Sequence, residues 1–271
     1  MTDIQAEDFR HLDSAQDPQA VLTYLDTLGG LAAARAYKRQ SFEMLEVGPG
    51  QTVLDVGCGT GDDARSIADL VGPRGRVVAV DRSEAAIAEA IKRSAGSTAR
   101  IEFRQGDALE LEFPSDEFDG VRADRVLQHL EDPARALDEL IRVTRPGGKV
   151  VVFEPDWDTL LIDSPDREVT RQIVRCNADA VANGRIGRQL RALFVKAGLA
   201  PVDVCGIGAV LTSFTLANQL LFLTRGTQQA VDAKRISAAQ AADWLDQLRG
   251  ADGAGTFFAS VTGFIVAGGK P

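Results

Sequence analysis

The sequence is poor in the residues that build disulfide frameworks and metal sites. It contains three cysteines and two histidines among 271 residues. These five lie far apart in the chain: His11, Cys58, His129, Cys176 and Cys205. Without a CxxC pair or a zinc-ligand spacing, we expect free thiols and no metal site. No apolar run approaches the roughly 18 residues that a membrane helix needs. The acidic, polar first residues are not typical of a signal peptide, so we expect a cytoplasmic protein without a membrane span.

A second deficit is positive charge. The chain has 39 acidic and 30 basic residues, and its formal net charge is −9. Because a negative protein repels a phosphate backbone, we do not expect a nucleic-acid partner. Hydrophobic residues make up 45% and charged residues 25%, which is typical of a soluble globular protein with a sizeable core.

What is abundant is an alternation of short apolar runs with longer amphipathic stretches. The apolar runs predict five strands, at 53–56, 76–80, 101–104, 118–123 and 149–153. The stretches between them carry apolar residues at helical spacing, most clearly at 62–71 and 133–144. Strands that are apolar throughout are typical of a parallel sheet covered on both faces. The fold class predicted is therefore α/β.

The regions on either side of this alternation have a different pattern. Residues 1–45 predict a helical N-terminal cap, and 46–206 a core that ends with a sixth strand at 202–206. Residues 207–254 are mostly helical, with an apolar face that predicts a lid over an acceptor pocket or a dimer face. Residues 255–271 predict a last strand, which belongs to the core sheet.

A glycine-rich turn follows the first predicted strand, in VLDVGCGTGDD at 53–63. A dinucleotide fingerprint has the spacing GxGxxG and places a pyrophosphate at the helix N-terminus. Here Gly57, Gly59 and Gly61 have the spacing GxGxG, and Asp62 and Asp63 follow at once. Two carboxylates at that position disfavour a phosphate. The turn therefore predicts a cofactor with a positive centre and no phosphate.

The chain resembles the class I S-adenosylmethionine (SAM) dependent methyltransferases, and it is similar to the small-molecule enzymes of the ubiquinone and menaquinone biosynthesis group. The resemblance spans residues 46–155 and depends on five segments in order: VLDVGCGTGDD, VVAVDRS, FRQGDALEL, FDGVRADRVLQHLEDP and LIRVTRPGGKVVVFEP. It implies a Rossmann-like sheet of seven strands, mostly parallel, with the last strand antiparallel. It also implies SAM as the cofactor and S-adenosylhomocysteine as its product.

The resemblance assigns cofactor roles to the glycine turn and to the strand before it. Asp55 would anchor the turn and the ammonium group of SAM. Gly57, Gly59 and Gly61 would let the backbone approach the amino acid tail and the ribose.

Further cofactor residues are implied at the ends of the next strands. Asp81 would accept hydrogen bonds from the ribose hydroxyls, and Arg82 would flank the adenine. Asp107 would accept a hydrogen bond from the adenine amino group, with the backbone of Ala108 nearby, and Arg122 would place a backbone carbonyl beside the methionine portion. Asp55, Asp81 and Asp107 are spaced by about one βα unit, so we expect them at one edge of the sheet.

The acceptor side of the site is predicted from residues that follow the fourth and fifth strands. His129 is a candidate general base, because imidazole titrates near neutral pH. Glu154 and Asp156 are further candidate bases on the same rim, and Trp157 is a candidate wall of the pocket. We expect methyl transfer to the oxygen or nitrogen of a small molecule, a quinone-type or secondary-metabolite acceptor, with carbon as an open alternative and a homodimer as an open possibility.

Three other functions remain open from the sequence. A nicotinamide-dependent oxidoreductase would need the GxGxxG spacing that is absent here. A non-catalytic SAM-binding regulatory protein would bind the cofactor without turnover. A methyltransferase of protein or nucleic acid would need a basic or peptide-binding groove, which the net charge disfavours for nucleic acid.

Overall fold

The computed structural model describes Asp13, residues 17–96 and residues 100–271. His11 and most of the N-terminal segment of the predicted cap lie outside the described residues. The described residues form seven strands: β1 Thr52–Val56, β2 Arg76–Asp81, β3 Ile101–Gln105, β4 Phe118–Asp124, β5 Thr144–Ile162, β6 Val202–Leu211 and β7 Ala259–Gly269. The same residues form ten α-helices: α1 Pro18–Gly29, α2 Ala32–Leu45, α3 Asp62–Val71, α4 Glu84–Arg93, α5 Pro133–Val143, α6 Arg167–Asp179, α7 Ile186–Lys196, α8 Phe214–Leu221, α9 Leu223–Asp232 and α10 Ala238–Gly253.

The strands form one sheet in the order β3-β2-β1-β4-β5-β7-β6. Neighbours from β3 to β5 pair in parallel, for example Val53 with Val77 and with Gly120. Strand β7 is antiparallel to both β5 and β6. The predicted Rossmann-like sheet with an antiparallel last strand is confirmed. The strand order reverses between β1 and β4, and in open α/β sheets this is where ligands bind, beyond the carboxyl ends of the strands.

The strands are buried because both faces of the sheet are covered by helices. On one face Leu54, Val78 and Val150 pack in a cluster with residues of α5 and α7. On the other face Val53 and Val77 pack with residues of α2, α3 and α4. Alternate residues of one strand therefore enter two different cores, which explains why the strand sequences are apolar throughout.

Strands β5 and β6 are longer than the sequence pattern predicts. Strand β5 does not end near Phe153 but continues to Ile162, because β7 pairs with it as far as Ala259. Strand β6 likewise continues beyond residue 206 to Leu211. These longer strands extend the sheet beyond the carboxyl ends of the parallel strands β1 to β4. Polar residues in β5, such as Glu154 and Asp156, interrupt the apolar pattern from which a strand is predicted.

A second helical layer packs around this extension. The predicted lid is present as α8, α9 and α10, and its core includes Trp244 and Leu220 together with Tyr24 of α1. Helix α6, which we assigned to the core region, packs in this same cluster. Asn177 Nδ2 of α6 donates to Leu221 O at 2.7 Å, and Trp244 Nε1 donates to Thr170 Oγ1 at 2.9 Å. Among the described helices, none is long and apolar enough to cross a bilayer.

Candidate active site

A cavity of about 530 Å³ opens at the carboxyl edge of the sheet, where the strand order reverses. Its walls come from the turn after β1, the ends of β2 and β4, the loop after β3, and helix α1. Of the predicted cofactor residues, the cavity is lined by Gly57, Gly59, Asp81, Arg82, Asp107 and Ala108. The structure therefore brings six of the nine together around one space.

The glycine turn has the backbone conformation that its sequence predicts. Gly57, Gly59 and Gly61 have φ values of 74°, 50° and 77°, which favour glycine. A Cβ atom on Gly57 would collide with the Val126 side chain, whereas one on Gly59 would only touch Leu25, at 3.6 Å. Both glycines line the cavity, as do the Val126 and Leu25 side chains that such Cβ atoms would meet.

Gly61 has a different role from its two neighbours. It does not appear among the described residues that line the cavity. A Cβ atom here would lie 2.7 Å from the Phe103 ring and 3.1 Å from Ala90. Gly61 is the N-cap of α3, and the missing side chain lets that helix pack against β3 and α4. Its contribution to the cofactor site is therefore indirect, through helix packing.

Asp81 connects the end of β2 to the glycine turn. Its Oδ2 atom accepts a hydrogen bond from Gly59 N at 2.8 Å, and its Oδ1 atom accepts one from Ser83 N at 2.9 Å. Burial raises the pKa of this carboxyl against the opposing effect of these hydrogen bonds. Asp107 forms a comparable local turn, with Leu109 N donating to its Oδ1 at 2.9 Å. Both acids line the cavity at adjacent strand ends.

A buried charge cluster supports the floor of the cavity. The Arg122 guanidinium donates to Asp63 Oδ2 at 2.9 Å, to Asp124 Oδ2 at 2.6 Å and to Ser41 Oγ at 3.0 Å. Lys38 Nζ donates to Asp63 Oδ1 at 2.8 Å. Arg122 is only 1% exposed and does not line the cavity among the described residues. Its side chain holds Asp63 and Asp124, which do line the cavity, in place.

Two of the three acids that pair with Arg122 have pKa values shifted in opposite directions. Burial raises the pKa of Asp55 to about 7, with Arg122 opposing it at 3.4 Å. Burial also opposes ionisation of Asp63, but Arg122 and Lys38 outweigh it and lower its pKa to about 2. Asp55 is 2% exposed and is not among the described residues at the cavity. Of these two acids, Asp63 is the one that lines the cavity, and it is ionised at neutral pH.

The charge of the cavity wall fits a cationic cofactor. Six acidic residues line it: Asp13, Asp62, Asp63, Asp81, Asp107 and Asp124. Three basic residues face them: Lys38, Arg82 and Arg125. This excess of carboxylates, together with a glycine turn open to close approach, suits a molecule that has a sulfonium, an ammonium and no phosphate. The same wall would repel the pyrophosphate of a dinucleotide.

A smaller cavity of about 30 Å³ adjoins the large one. Arg125 and His129 line both, so they form the partition between them. His129 ends the short 3-10 turn Leu127–His129 that follows β4. Aromatic side chains form much of the remaining wall of the small cavity: Tyr24, Trp157 and Phe222. Trp157 is placed where the sequence predicts a pocket wall, and Phe222 brings the helical lid to the site.

Glu154 does not reach either cavity. It is fully buried, and its Oε1 accepts a hydrogen bond from Leu127 N at 2.6 Å. Its Oε2 has no hydrogen-bond partner among the described residues, and burial raises its pKa to about 8. Glu154 thus holds the turn that carries His129, and we do not retain it as a base, because it is buried and lines neither cavity.

Asp156 is also placed away from both cavities. It is fully buried and paired with Arg188, whose Nη2 donates to its Oδ1 at 2.7 Å and whose Nε contacts its Oδ2. A carboxylate whose two oxygens are both engaged by a guanidinium is not available to an acceptor. We do not retain Asp156 as a base for this reason.

Some residues at the cavity were not predicted from the sequence. Asp124 ends β4 as Asp81 ends β2, so the same strand-end pattern would have found it. Asp13 accepts from Ser83 Oγ at 2.6 Å and from Ala85 N at 3.0 Å, and no sequence signal indicates this contact with α4. The described residues contain no cluster of histidine, cysteine and acidic side chains that could hold a metal ion. The three thiols are free.

The fold and the site together define a Rossmann-like enzyme core of the class I SAM-binding type. The sequence profile described as a methyltransferase domain matches residues 48–197, which is more than half of the chain. The chain therefore belongs to the methyltransferase domain family, and it is a SAM-dependent methyltransferase with SAM as its cofactor.

Two relatives illustrate how far the similarity extends. An uncharacterized 37.1 kDa protein in transposon TN4556 of Streptomyces fradiae is 43% identical over 90% of this chain and 70% of that protein. A demethylmenaquinone methyltransferase of Desulfitobacterium hafniense is 36% identical, over 48% of this chain and 52% of the relative. The chain thus spans about half the length of this relative.

Solved structures with low sequence identity share the fold. The YcgJ protein from Bacillus subtilis superimposes with a TM-score of 0.63 at 16% identity, covering 87% of this chain and 98% of that one. A phosphoethanolamine N-methyltransferase 2 of Haemonchus contortus, in complex with S-adenosylhomocysteine, gives 0.60 at 19% identity, over 99% of this chain and 60% of the other. The match to the YcgJ protein spans almost the whole of that protein's chain.

Proposed function

We propose that this enzyme methylates an oxygen or nitrogen atom of a small, largely apolar acceptor of the quinone or secondary-metabolite type. The observation that carries the proposal is the position of His129 in the partition between the two cavities. The larger cavity has the charge and the glycine turn for SAM. On the other side of this partition, Tyr24, Trp157 and Phe222 provide aromatic surface on which a planar acceptor can pack. Carbon remains the alternative acceptor atom.

The residues of this chain contribute mainly alignment. Bound SAM supplies a methyl group already activated on a cationic sulfur. The protein has to hold the acceptor atom in line with that methyl and exclude water. His129 accepts the proton that the acceptor hydroxyl or amine loses as its oxygen or nitrogen bonds to the methyl carbon. The imidazole of His129 then carries that proton.

The quinone-type acceptor is favoured by the relatives. Demethylmenaquinone methyltransferase and 2-phytyl-1,4-naphtoquinone methyltransferase match this chain at 36% identity, over 48% and 44% of its length respectively. Those matches cover about half of each relative, so the acceptor itself belongs to the proposal. Tyr24, Trp157 and Phe222 around the small cavity support it independently, because planar rings stack on aromatic side chains.

The test is an acceptor screen with direct detection of S-adenosylhomocysteine. Purified protein is incubated with SAM and matched phenols, hydroquinones and aryl amines, and products are identified by mass spectrometry. We expect methylated phenol or amine products and no product from the corresponding methyl ethers. Absence of turnover on every acceptor, with intact SAM binding, would favour a non-catalytic SAM-binding protein instead. A melting-temperature increase with NADH but not with S-adenosylhomocysteine would overturn the whole assignment.

A further inference from the structure

The loop of residues 106–113 follows β3 and carries part of the wall of the large cavity. Asp107 and Ala108, near the start of this loop, line the cavity. The loop itself orients Asp107, whose Oδ1 accepts from Leu109 N at 2.9 Å and whose carbonyl accepts from Glu110 N at 3.1 Å. The direction of the Asp107 carboxylate therefore depends on the conformation of the loop.

The start of this loop is fixed by backbone hydrogen bonding, whereas its end is fixed by side chains of α5. Gly106 N donates to Asp81 O at 3.0 Å, at the end of β2. At the other end, Leu111 N donates to Glu139 Oε2 at 2.8 Å, and Arg142 Nη2 donates to Leu111 O at 2.8 Å. Both backbone polar groups of Leu111 are thus satisfied by side chains, in the way that a neighbouring strand satisfies them in a sheet.

Glu139 and Arg142 form one hydrogen-bonded unit, the α5 clamp. They are three residues apart on α5, so their side chains lie on the same face of the helix. Arg142 Nε donates to Glu139 Oε1 at 2.7 Å, and Arg142 Nη2 donates to Glu139 Oε2 at 2.8 Å. Arg142 Nη1 donates to Phe113 O at 2.7 Å. The α5 clamp therefore holds the N–H of Leu111 and the carbonyls of Leu111 and Phe113.

An ordinary ion pair on a helix surface does not explain this arrangement. Exposed pairs of that kind contribute little to stability. The side chains of Arg142 and Glu139 are 34% and 19% exposed, and each also bonds to the backbone of the loop. Arg142 belongs to the segment LIRVTRPGGKVVVFEP, which supports the family resemblance although this side chain does not reach the cavity.

The α5 clamp acts on a part of the loop that is already anchored in the core. Leu111 and Phe113 are 4% and 9% exposed and pack in the cluster on one face of the sheet. Hydrophobic contacts have no direction, so they hold these side chains in the core without fixing the rotation of the backbone between them. Hydrogen bonds are directional, and those to Leu111 fix that rotation. The α5 clamp thus contributes orientation rather than burial.

We propose, on the basis of the function proposed above, that Glu139 and Arg142 are positioning residues for the adenine of the cofactor. By fixing the backbone at Leu111, they hold the Asp107 carboxylate in the direction from which it accepts a hydrogen bond from the adenine 6-amino group. Neither side chain lines the cavity among the described residues, so both act on the cofactor through the loop. They determine how strongly the site prefers adenine to a purine without the amino group.

Two cofactor analogues that differ in one group test this proposal. S-adenosylhomocysteine and its analogue with hydrogen in place of the 6-amino group are titrated by calorimetry into the purified protein. We expect the wild type to bind S-adenosylhomocysteine at least about tenfold more tightly, because a hydrogen bond to a carboxylate is charge-assisted. The ratio of the two dissociation constants is the readout, since a general disturbance of the fold weakens the binding of both ligands equally.

Variants connect this ratio to the α5 clamp. Glu139→Leu and Arg142→Met remove bonds to the loop and should lower the ratio to below about threefold, mainly through weaker binding of S-adenosylhomocysteine. Glu139→Gln should keep most of the preference, because its amide oxygen can still accept from Leu111 N. Asp138→Leu, at an exposed position of α5, is the control and should keep the wild-type ratio.

An unchanged ratio in both Glu139→Leu and Arg142→Met overturns the positioning role. An equal loss of affinity for the two ligands also overturns it, because that is the result of a purely structural role. If these variants do not fold, Arg142→Lys decides, since lysine keeps the charge but cannot reproduce the planar fork that bonds two loop carbonyls and Glu139. Its ratio should fall at least about twofold, and an unchanged ratio would again overturn the inference.

The wild-type protein separates this inference from the proposed function. Equal binding of the two ligands removes the contact between Asp107 and the adenine amino group, and the positioning role with it, while the cofactor assignment stands. The absence of S-adenosylhomocysteine binding would instead contradict the proposed function itself. No acceptor is needed in these titrations, so an error in the inferred acceptor class does not affect them.

Discussion

The Asp81 carboxylate accepts a hydrogen bond from the backbone N–H of Gly59 at 2.8 Å. This bond ties the end of β2 to the glycine turn after β1, across two parallel strands. The other carboxylate oxygen accepts from Ser83 N, at the start of α4. One side chain therefore fixes the geometry of three segments that line the cofactor cavity. Asp81 shapes the site as well as offering oxygen atoms to a ribose.

Replacing Asp81 by asparagine should weaken the binding of S-adenosylhomocysteine by about 10- to 100-fold. The amide can accept only one of the two backbone hydrogen bonds well, and it loses the charge that strengthens bonds to ribose hydroxyls. Calorimetric titration measures the affinity. Asp203→Asn, on the exposed edge strand β6, is the matched control and should bind normally. Equal affinities for the two variants would contradict the role of Asp81.

Gly61→Ala should destabilise the fold more than Gly198→Ala does. Both glycines have a positive φ, of 77° and 84°, so both substitutions bear the backbone strain of about 1 kcal/mol. Only at Gly61 would the new Cβ meet Phe103, at 2.7 Å, whereas nothing lies within 4 Å at Gly198. Overpacking adds about 1 to 3 kcal/mol. Urea denaturation of the two variants measures the difference, and equal losses would contradict the packing role of Gly61.

His129→Ala should lower turnover strongly while the affinity for S-adenosylhomocysteine changes little. A positioned general base contributes about 10²- to 10⁴-fold to the rate. The side chain lies in the partition between the two cavities, whereas most of the cofactor cavity is formed by other residues. The measurements are initial rates with an identified acceptor from pH 5 to 9 and calorimetry on the same sample. Full activity of the variant at every pH would remove His129 as a base.

The sequence was sufficient for the parts of the site that depend on strand ends. Asp81, Arg82, Asp107 and Ala108 follow buried parallel strands, and the period of the βα unit predicts their shared edge. Asp55 differs from them, because it lies one residue inside β1 and its side chain contacts Arg122 in the buried charge cluster rather than lining the cavity. Strand-end position alone does not say on which side of the backbone a carboxylate lies.

The acceptor side was less predictable because it depends on long-range packing. Glu154 and Asp156 follow the valine run of β5, and their sequence predicts an exposed rim. The extension of β5 along β7 and the position of Arg188 bury them instead. Arg125 was not predicted, since neither its positive φ nor its contact with Tyr24, 101 residues away in the chain, leaves a sequence signal. Contacts between segments that are distant in the chain determine whether these side chains are buried or line a cavity.

Glu154→Gln should change how stability depends on pH. In the folded protein the pKa of Glu154 is raised to about 8 by burial, while its ordinary value is 4.5. The unfolded chain therefore releases this proton near pH 4.5 and the folded chain keeps it, so the free energy of unfolding falls as pH rises between the two values. Between pH 5 and 8 the wild type should lose up to about 3 kcal/mol relative to the variant, because each pH unit contributes about 1.4 kcal/mol.

Chemical denaturation of the wild type and Glu154→Gln at pH 5, 6.5 and 8 measures this difference. Glutamine can still accept from Leu127 N, so the turn that carries His129 should be preserved. Glu112→Gln, at an exposed position, is the control and should follow the wild-type pH profile. If Glu154→Gln followed the wild-type profile as well, Glu154 would be ionised in the folded protein at neutral pH. The unpartnered Oε2 atom would then require a cation or solvent that reaches the interior.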